Sequence, residues 1–395
     1  MKFVIIDFGA KYQYTHHLPL IKKLSEIISE EYDPPIIFLS RYANRSAYKD
    51  VSGIKKFILT DVIYGPTLKE NPFKRILIYL SSLVLKENDE KLAMKKFIKS
   101  ILVHRVKSDL IRLHKSTNQE VTLVFPTSEP ISIYLAESIL KLPISRNFKF
   151  KFRLVGGENR GYLASKYELG NLAYLVQSFP NQIKIGYETN KYMQYLLSNG
   201  ISPQNLVWSP WPPMPDFGIN YLLEKEENTL GFFGNAKKRK GFDLIPNLMS
   251  TLEEKGYKFR VIIQPAIFEW KSYQYSLKKI LEFPNSMVLL TEPELSLNQL
   301  LRYISQTNLL VLPYDRSSYS INASGIVYHG SDYHIPVITL EGVGFADEIN
   351  EYGIGIVAKN IDDMVERIIS IDKMVFNFEN YNSARLKATK SFMLD

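Results

Sequence analysis

Short apolar runs alternate with longer amphipathic segments along most of this chain. In the first half, the runs rich in β-branched and aromatic residues are Phe3–Asp7, Ile36–Leu39, Lys56–Leu59, Val121–Phe125, Phe150–Val155, Ile183–Ile185 and Leu206–Trp208. In the second half they are Thr229–Phe233, Phe259–Ile263, Met287–Leu290, Leu309–Leu312, Val337–Thr339 and Gly355–Val357. Helix-length segments separate these runs, which is typical of βαβ units and parallel sheets.

A proline-rich segment divides the two series of strands. Residues 209–218 contain four prolines in ten positions, which neither a helix interior nor a central strand accommodates. Because 395 residues exceed what one core usually covers, we expect domains at 1–208 and 219–375 joined by this linker. We expect the C-terminal segment, 376–395, to pack back on the N-terminal domain. The predicted fold class is α/β, with two doubly wound Rossmann-like domains and a cleft at the carboxyl ends of their strands.

Two loops of the second half have features of anion sites. After the strand Leu309–Leu312, a polar loop leads to Ser324–Gly325, which open a helix. A helix start presents free backbone N–H groups and the positive end of the helix dipole, so a phosphate is the most natural ligand. The other loop follows Gly234 and contains four consecutive cations, Lys237–Lys240. An ordinary solvated turn also accommodates four adjacent cations, and that alternative stays open.

This order of elements resembles the donor-binding half of GT-B glycosyltransferases, particularly the large retaining family four. In that family a Lys-Gly pair begins six positions after a loop glycine, and its Lys contacts the donor diphosphate. Gly234 and Lys240–Gly241 have this spacing. The resemblance covers residues 229–357, whereas the first half is similar only in topology.

The cationic loop departs from the family at one position. Asn235 stands where the family has Arg. The resemblance then assigns the missing charge to one of Lys237, Lys238 and Arg239, with Asn235 still within the donor loop.

The paired glutamates of the family are also altered. Counted back from the Pro of the following strand, His329 stands at the second glutamate position and Ile321 near the first. Neither residue is acidic, so the resemblance leaves the sugar-hydroxyl contacts to Tyr319, Ser320 and Asn322. A Ser-Gly helix start does fit a branch of bacterial polysaccharide enzymes within the family.

The first half has weaker candidates for the acceptor side and for catalysis. Gly9 follows the first strand, and His16 and His17 stand at a helix start that faces the cleft in this fold. Glu158 and Arg160 lie in a glycine-rich loop after a later strand, where family members place a polar residue against the transferred sugar. We assign catalytic candidates to His16 and Glu158, and acceptor contacts to Gly9, His17 and Arg160. Structural roles, a satisfied histidine or a charged turn, are the alternatives.

Composition narrows the compartment and the partners. The chain has no cysteine, which excludes disulfides and thiolate metal sites and agrees with a reducing compartment. A strand-like run at the N-terminus replaces a signal peptide, so we expect a cytoplasmic protein. The net charge of +8 points to an anionic partner. The basic amphipathic segment Lys91–Lys115 fits either a helix on an anionic membrane face or a core helix with solvated cations.

We therefore expect a glycosyltransferase that moves a sugar from a nucleotide-sugar to a glycan or lipid-linked acceptor in polysaccharide biosynthesis. Lys240, its neighbouring cations and the Ser324–Gly325 backbone would stabilise the leaving diphosphate. The loops have no Asp-x-Asp pair, so we expect no metal and no cofactor, and the resemblance implies retention. A nucleotide-sugar hydrolase or epimerase and a non-catalytic polyanion binder remain as alternatives. Nucleic acid is disfavoured because aromatic residues do not interleave with the cations.

Overall fold

The computed structural model describes residues 1–8, 17–40, 54–58, 90–128, 130–155, 166–214, 228–234, 236–266 and 271–395. Each predicted strand is present in it, with ends that differ from the prediction by a residue or two at most positions. The alternation of apolar runs and amphipathic segments therefore predicted the order of elements correctly.

The N-terminal domain contains a seven-stranded parallel sheet in the order β3-β2-β1-β4-β5-β6-β7. Its strands are β1 Lys2–Asp7, β2 Ile36–Ser40, β3 Ile54–Ile58, β4 Val121–Phe125, β5 Phe148–Arg153, β6 Ile183–Tyr187 and β7 Leu206–Trp208. Its helices are α1 His17–Ser29, α2 Glu90–Thr117, α3 Pro130–Leu140, α4 Lys166–Ser178 and α5 Asn190–Ser198. The chain builds the sheet outward from β1 in one direction and then from β4 in the other, so the order reverses between these two strands.

The C-terminal domain contains a six-stranded parallel sheet in the order β10-β9-β8-β11-β12-β13. The strands are β8 Thr229–Phe232, β9 Arg260–Ile263, β10 Val288–Leu290, β11 Leu309–Leu312, β12 Val337–Leu340 and β13 Gly355–Ala358. The helices are α6 Ile245–Glu254, α7 Lys271–Ile280, α8 Leu297–Ser305, α9 Gly325–Asp332, α10 Ala346–Tyr352, α11 Ile361–Ile369 and α12 Phe378–Leu394. Here the order reverses between β8 and β11.

Both sheets are covered by helices on two faces, which explains their continuously apolar strands. In β1, Phe3 and Ile5 face a core that includes Leu20 of α1, whereas Val4 and Ile6 face a separate core. This second core also receives the C-terminal half of α2, where Val106 and Leu110 are buried.

The apolar stripe of the basic segment therefore packs in the core over its described half, while Arg105, Arg112 and Lys115 stay exposed. Among the helices that the structure describes, none combines the length and the apolarity needed to cross a bilayer.

The carboxyl ends of the two sheets face each other across the cleft. Thr189, at the end of β6, donates from Oγ1 to the carbonyl oxygen of Ile321 in the loop after β11 at 2.8 Å. Lys191 donates from Nζ to the Val343 carbonyl at 3.1 Å. Loops that follow strands in one domain thus contact loops that follow strands in the other.

The last helix, α12, contacts both domains and the linker. Arg385 on α12 is fully buried and donates to the linker carbonyl of Trp211 at 2.7 Å and to Asp332 Oδ1 of α9 at 2.9 Å. At the end of α12, the buried Lys151 of β5 donates from Nζ to the Met393 carbonyl at 2.9 Å. The sequence analysis assigned no helix to this C-terminal segment.

Candidate functional site

The two loops with anion-site features lie side by side at the reversal point of the C-terminal sheet. One follows β8 and the other follows β11, and these strands are neighbours. Open α/β sheets bind ligands at this position because the loops of the two strands diverge there and leave a crevice. The Asp315 backbone N–H donates to the Arg239 carbonyl at 3.0 Å, which joins the two loops.

Two glycines shape the first loop. Gly234 has φ +92°, and a Cβ at this position would lie 2.3 Å from Lys240 Nζ. Gly241 has φ +72°, and a Cβ there would lie 1.9 Å from the Pro313 carbonyl oxygen. Both positions therefore require glycine for conformation and for space. As a result, the Lys240 ammonium group lies directly against the Gly234 backbone, as the six-residue spacing predicted.

The cations of this loop lie on aromatic faces. Lys240 Nζ is 5.3 Å from the centroid of the Tyr314 ring, and Arg239 Cζ is 5.3 Å from that of Tyr319. Such contacts attract a cation but do not neutralise its charge. Burial and the nearby Arg239 lower the pKa of Lys240. Within the described part of the chain, no carboxylate forms an ion pair with either cation, and the buried Arg239 Nε has no hydrogen-bond partner.

The second loop positions its aromatic residues from below. Tyr314 is fully buried, its ring centroid is 4.5 Å from that of Tyr319, and its hydroxyl lies 3.5 Å from Ser324 Oγ. Burial raises the pKa of Tyr314 to about 12, so the hydroxyl stays protonated. The Gly344 N–H donates to the Tyr319 carbonyl at 2.6 Å, which holds the loop against the turn after β12.

The start of α9 completes the site. Ser324 is the N-cap, but its side chain accepts no hydrogen bond from the first helical turn. A Cβ added to Gly325 would meet no atom within 4 Å, and this residue is exposed. Ile326 Cγ1 lies 3.5 Å from the Cβ position of Gly234, so the helix start adjoins the cationic loop. Open space in front of unsatisfied N–H groups, beside unpaired cations, is a site for an anion.

Other predicted donor-site residues lie at the edge of this arrangement or away from it. Lys238 points to solvent, and Ser320 is half-buried. Asn322 donates from Nδ2 to the Ser318 carbonyl at 3.2 Å.

His329 packs against the linker instead, with its ring centroid 6.5 Å from that of Trp211. Burial, with Arg385 nearby, lowers the pKa of His329 to about 4. Its buried Nδ1 has no hydrogen-bond partner in the described structure.

Of the predicted acceptor-side and catalytic residues, His17 lies in the described part of the chain. It is buried, and its Nδ1 is 2.7 Å from Asp7 Oδ2. The other candidates lie outside the described residues; these are Gly9, His16, Asn235, Glu158 and Arg160.

Two residues of the site were not singled out from the sequence. Tyr314 follows the strand-ending Pro313, and its aromatic character so soon after a buried strand was the available signal. Gln264, at the end of β9, accepts from the Gly234 N–H at 2.8 Å and donates to the Pro293 carbonyl at 3.0 Å. Nothing in its local sequence distinguishes it. Among the described residues, no group of three or more acidic or histidine side chains has the geometry to hold a metal ion.

Comparison with known proteins shows similarity in structure and none in sequence. No protein-family profile and no curated protein matches the chain. The lipopolysaccharide outer core galactosyltransferase WaaB, in its apo form, is 13% identical, with a TM-score of 0.61 over 99% of this chain and 98% of that one. Anabaena HepE in complex with UDP and glucose is 13% identical, with a TM-score of 0.62 over 99% of this chain and 98% of that one. TarM is 12% identical, with a TM-score of 0.60 over 100% and 95%.

Identities this low establish the fold alone. Two Rossmann-like domains that face each other across a cleft form the GT-B fold, as the resemblance implied, and the likeness extends over the whole chain.

Proposed function

We propose that this protein is a glycosyltransferase that moves a sugar from a nucleotide-sugar to a glycan or lipid-linked acceptor. The observation that carries the proposal is the pair of cations at the cleft, Lys240 and Arg239, which lie beside an open helix start and have no described acidic partner. A cation removed from water without a counter-charge is costly. A bound diphosphate would compensate that cost.

The chemistry of transfer requires such a site. Breaking the bond between the sugar and the phosphate places negative charge on the leaving diphosphate. Preorganised donors and cations around that charge are usually the largest contribution to catalysis. Lys240 would contact the diphosphate, and the N–H groups at Ser324–Gly325 would bind its terminal phosphate. Tyr319 and Asn322 lie beside them and would contact the ribose or sugar hydroxyls.

The comparisons agree with this substrate class. HepE is described in complex with UDP and with UDP-glucose, and WaaB is named as a galactosyltransferase. A uridine diphosphate sugar, with a hexose as the transferred group, is therefore the first donor to test for this chain.

We further propose that the cations perform without a metal ion or a cofactor. The family resemblance implies retention of the anomeric configuration, and NMR of the product tests it. For location, we propose a cytoplasmic enzyme that contacts an anionic membrane face through the exposed cations Arg105, Arg112 and Lys115 of α2. Sedimentation with anionic and neutral vesicles separates this contact from ordinary solvation.

A panel of nucleotides and nucleotide-sugars tests the central proposal. The donor should raise the melting temperature, because a ligand at a hundred times its Kd stabilises the folded state by about 2.7 kcal/mol. Transfer with that donor should persist in EDTA. If no nucleotide stabilises the protein, the donor site is wrong. If the protein releases free sugar at the same rate with and without acceptors, it is a hydrolase.

A further inference from the structure

A buried carboxylate and a buried imidazole meet at the end of the first strand. Asp7 is the last residue of β1 and is fully buried, and His17 is the first residue of α1 and is 4% exposed. His17 Nδ1 lies 2.7 Å from Asp7 Oδ2. The contact is short enough for a charge-assisted hydrogen bond.

The pair lies where an open α/β sheet usually binds its ligand. The order of the N-terminal sheet reverses between β1 and β4, and Asp7 ends β1 at that point. The anion site occupies the corresponding reversal between β8 and β11. The contact of Thr189 with Ile321 shows that the carboxyl edges of the two sheets face each other. The Asp7–His17 pair and Lys240 therefore belong to opposite walls of one cleft.

The carboxylate determines how the histidine can react. An ionised carboxylate only accepts hydrogen bonds, so Asp7 favours the His17 tautomer with its proton on Nδ1. Nε2 then carries the lone pair, and the carboxylate stabilises the imidazolium that forms when Nε2 takes a proton. We propose that His17 is the general base for the acceptor hydroxyl and that Asp7 is its positioning residue, an inference that rests on the glycosyltransferase function proposed above.

The proposed step divides the charge between the two domains. The acceptor oxygen forms a bond to the anomeric carbon while its proton moves to His17 Nε2. The bond from that carbon to the phosphate oxygen breaks, and its electron pair stays on the nucleoside diphosphate beside Lys240. His17 then returns its proton to water. Attack from the face opposite the diphosphate inverts the anomeric centre, so this proposal predicts inversion, in contrast to the family resemblance.

Variants of the pair test the proposal against a purely structural role. His17→Ala should lower kcat by about 10²- to 10⁴-fold, and added imidazole should restore part of the rate. Asp7→Asn keeps a polar group of the same size but favours the wrong tautomer, so it should also lower kcat and shift the acid limb of the pH profile.

His114→Ala is the matched control, because His114 is a buried histidine of the same domain whose Nδ1 lies 2.8 Å from the Gln119 carbonyl oxygen. It should change the melting temperature and leave kcat and the pH profile unaltered.

The readouts separate this proposal from the proposed function. If the parent protein binds no nucleotide-sugar, the glycosyltransferase proposal fails first. If the parent transfers sugar and His17→Ala still binds the donor, a large loss of kcat with imidazole rescue and an inverted product supports the general base. A kcat like that of His114→Ala, a loss that imidazole does not restore, or a retained product overturns it. Asp7→Asn gives the same decision if His17→Ala does not fold.

Discussion

Two groups of cations lie near the cleft, and they differ in what surrounds them. At the hinge, Arg385 is fully buried and lies 2.9 Å from the carboxylate of Asp332. At the anion site, Lys240 and Arg239 lie on aromatic rings, and no described carboxylate pairs with them. The hinge arginine is neutralised within the protein, whereas the site cations keep their charge for something else.

The hinge shows how completely this chain can satisfy a buried cation. Arg385 also donates to the carbonyls of Trp211 and Pro212 in the linker. Arg153, from the other domain, donates to the Ser209 carbonyl and forms an ion pair with Glu188 at 2.6 Å. Against this background the unpaired cations at the cleft are not a general feature of the protein, and they identify the place where an external anion is needed.

The largest expected effect is on stability at the hinge. Arg385→Ala leaves Asp332 buried without its partner, and breaking such a pair typically costs about 3–5 kcal/mol. The free energy of unfolding in urea should fall by that amount. Arg367→Ala is the matched control, since Arg367 pairs with Asp363 but its side chain is 45% exposed. Equal, small losses in both variants would show that the hinge network is not a stabilising element.

The next effect is on catalysis at the anion site. Lys240→Ala removes a charge that the protein does not neutralise, so turnover should fall about a hundredfold or more while the melting temperature stays the same or rises. Lys238→Ala removes the same charge from an exposed neighbour and should retain most activity. Steady-state kinetics and thermal melts measure both quantities. Full activity in Lys240→Ala would remove this residue from the mechanism.

A smaller effect concerns the start of α9. Gly325→Leu fills the open space in front of the helix, so nucleotide affinity should fall at least about tenfold, or about 1.4 kcal/mol. Stability should not fall, because a Cβ at Gly325 meets no atom within 4 Å. Gly170→Leu is a matched control, as this helical glycine also has nothing within 4 Å. Calorimetric titration decides the question, and an unaltered affinity in folded Gly325→Leu contradicts a phosphate site there. Ser324→Ala beside it isolates the hydroxyl.

The smallest effect is a pH dependence within the hinge region. Burial lowers the pKa of His329 from 6.5 to about 4, so the unfolded chain binds a proton there that the folded protein does not. His329 therefore reduces stability as the pH falls from about 6.5 towards 4. His329→Phe should lose less stability than the parent between pH 7 and pH 5 in urea unfolding, whereas the exposed His104→Phe should follow the parent. Parallel curves for all three proteins would contradict the assignment.

The sequence predicted the fold well because its signals are local. Each strand is a short apolar run, and the prolines after Trp208 mark the end of the first series. The helix α12 escaped prediction because it packs against several elements at once and shows no single apolar stripe.

The site was partly predictable for the same reason. The spacing from Gly234 to Lys240 is local, and the structure does bring these two residues together. The contact of Tyr314 with Lys240 joins loops far apart in the chain, and so does that of Gln264 with Gly234. The position of His329 against Trp211 depends on how the linker returns to α9. No spacing rule within one segment contains that information.

The return of α12 to the first domain also affects how the protein is made. Lys151 and the Met393 carbonyl that it binds are 242 positions apart. A chain leaving the ribosome therefore completes the first sheet long before α12 can reach it, and the groove for α12 stays open in the meantime. Contacts of such long range slow folding and leave apolar surface exposed to aggregation. A C-terminal truncation should therefore reduce the yield of folded protein even though it removes no residue of the candidate site.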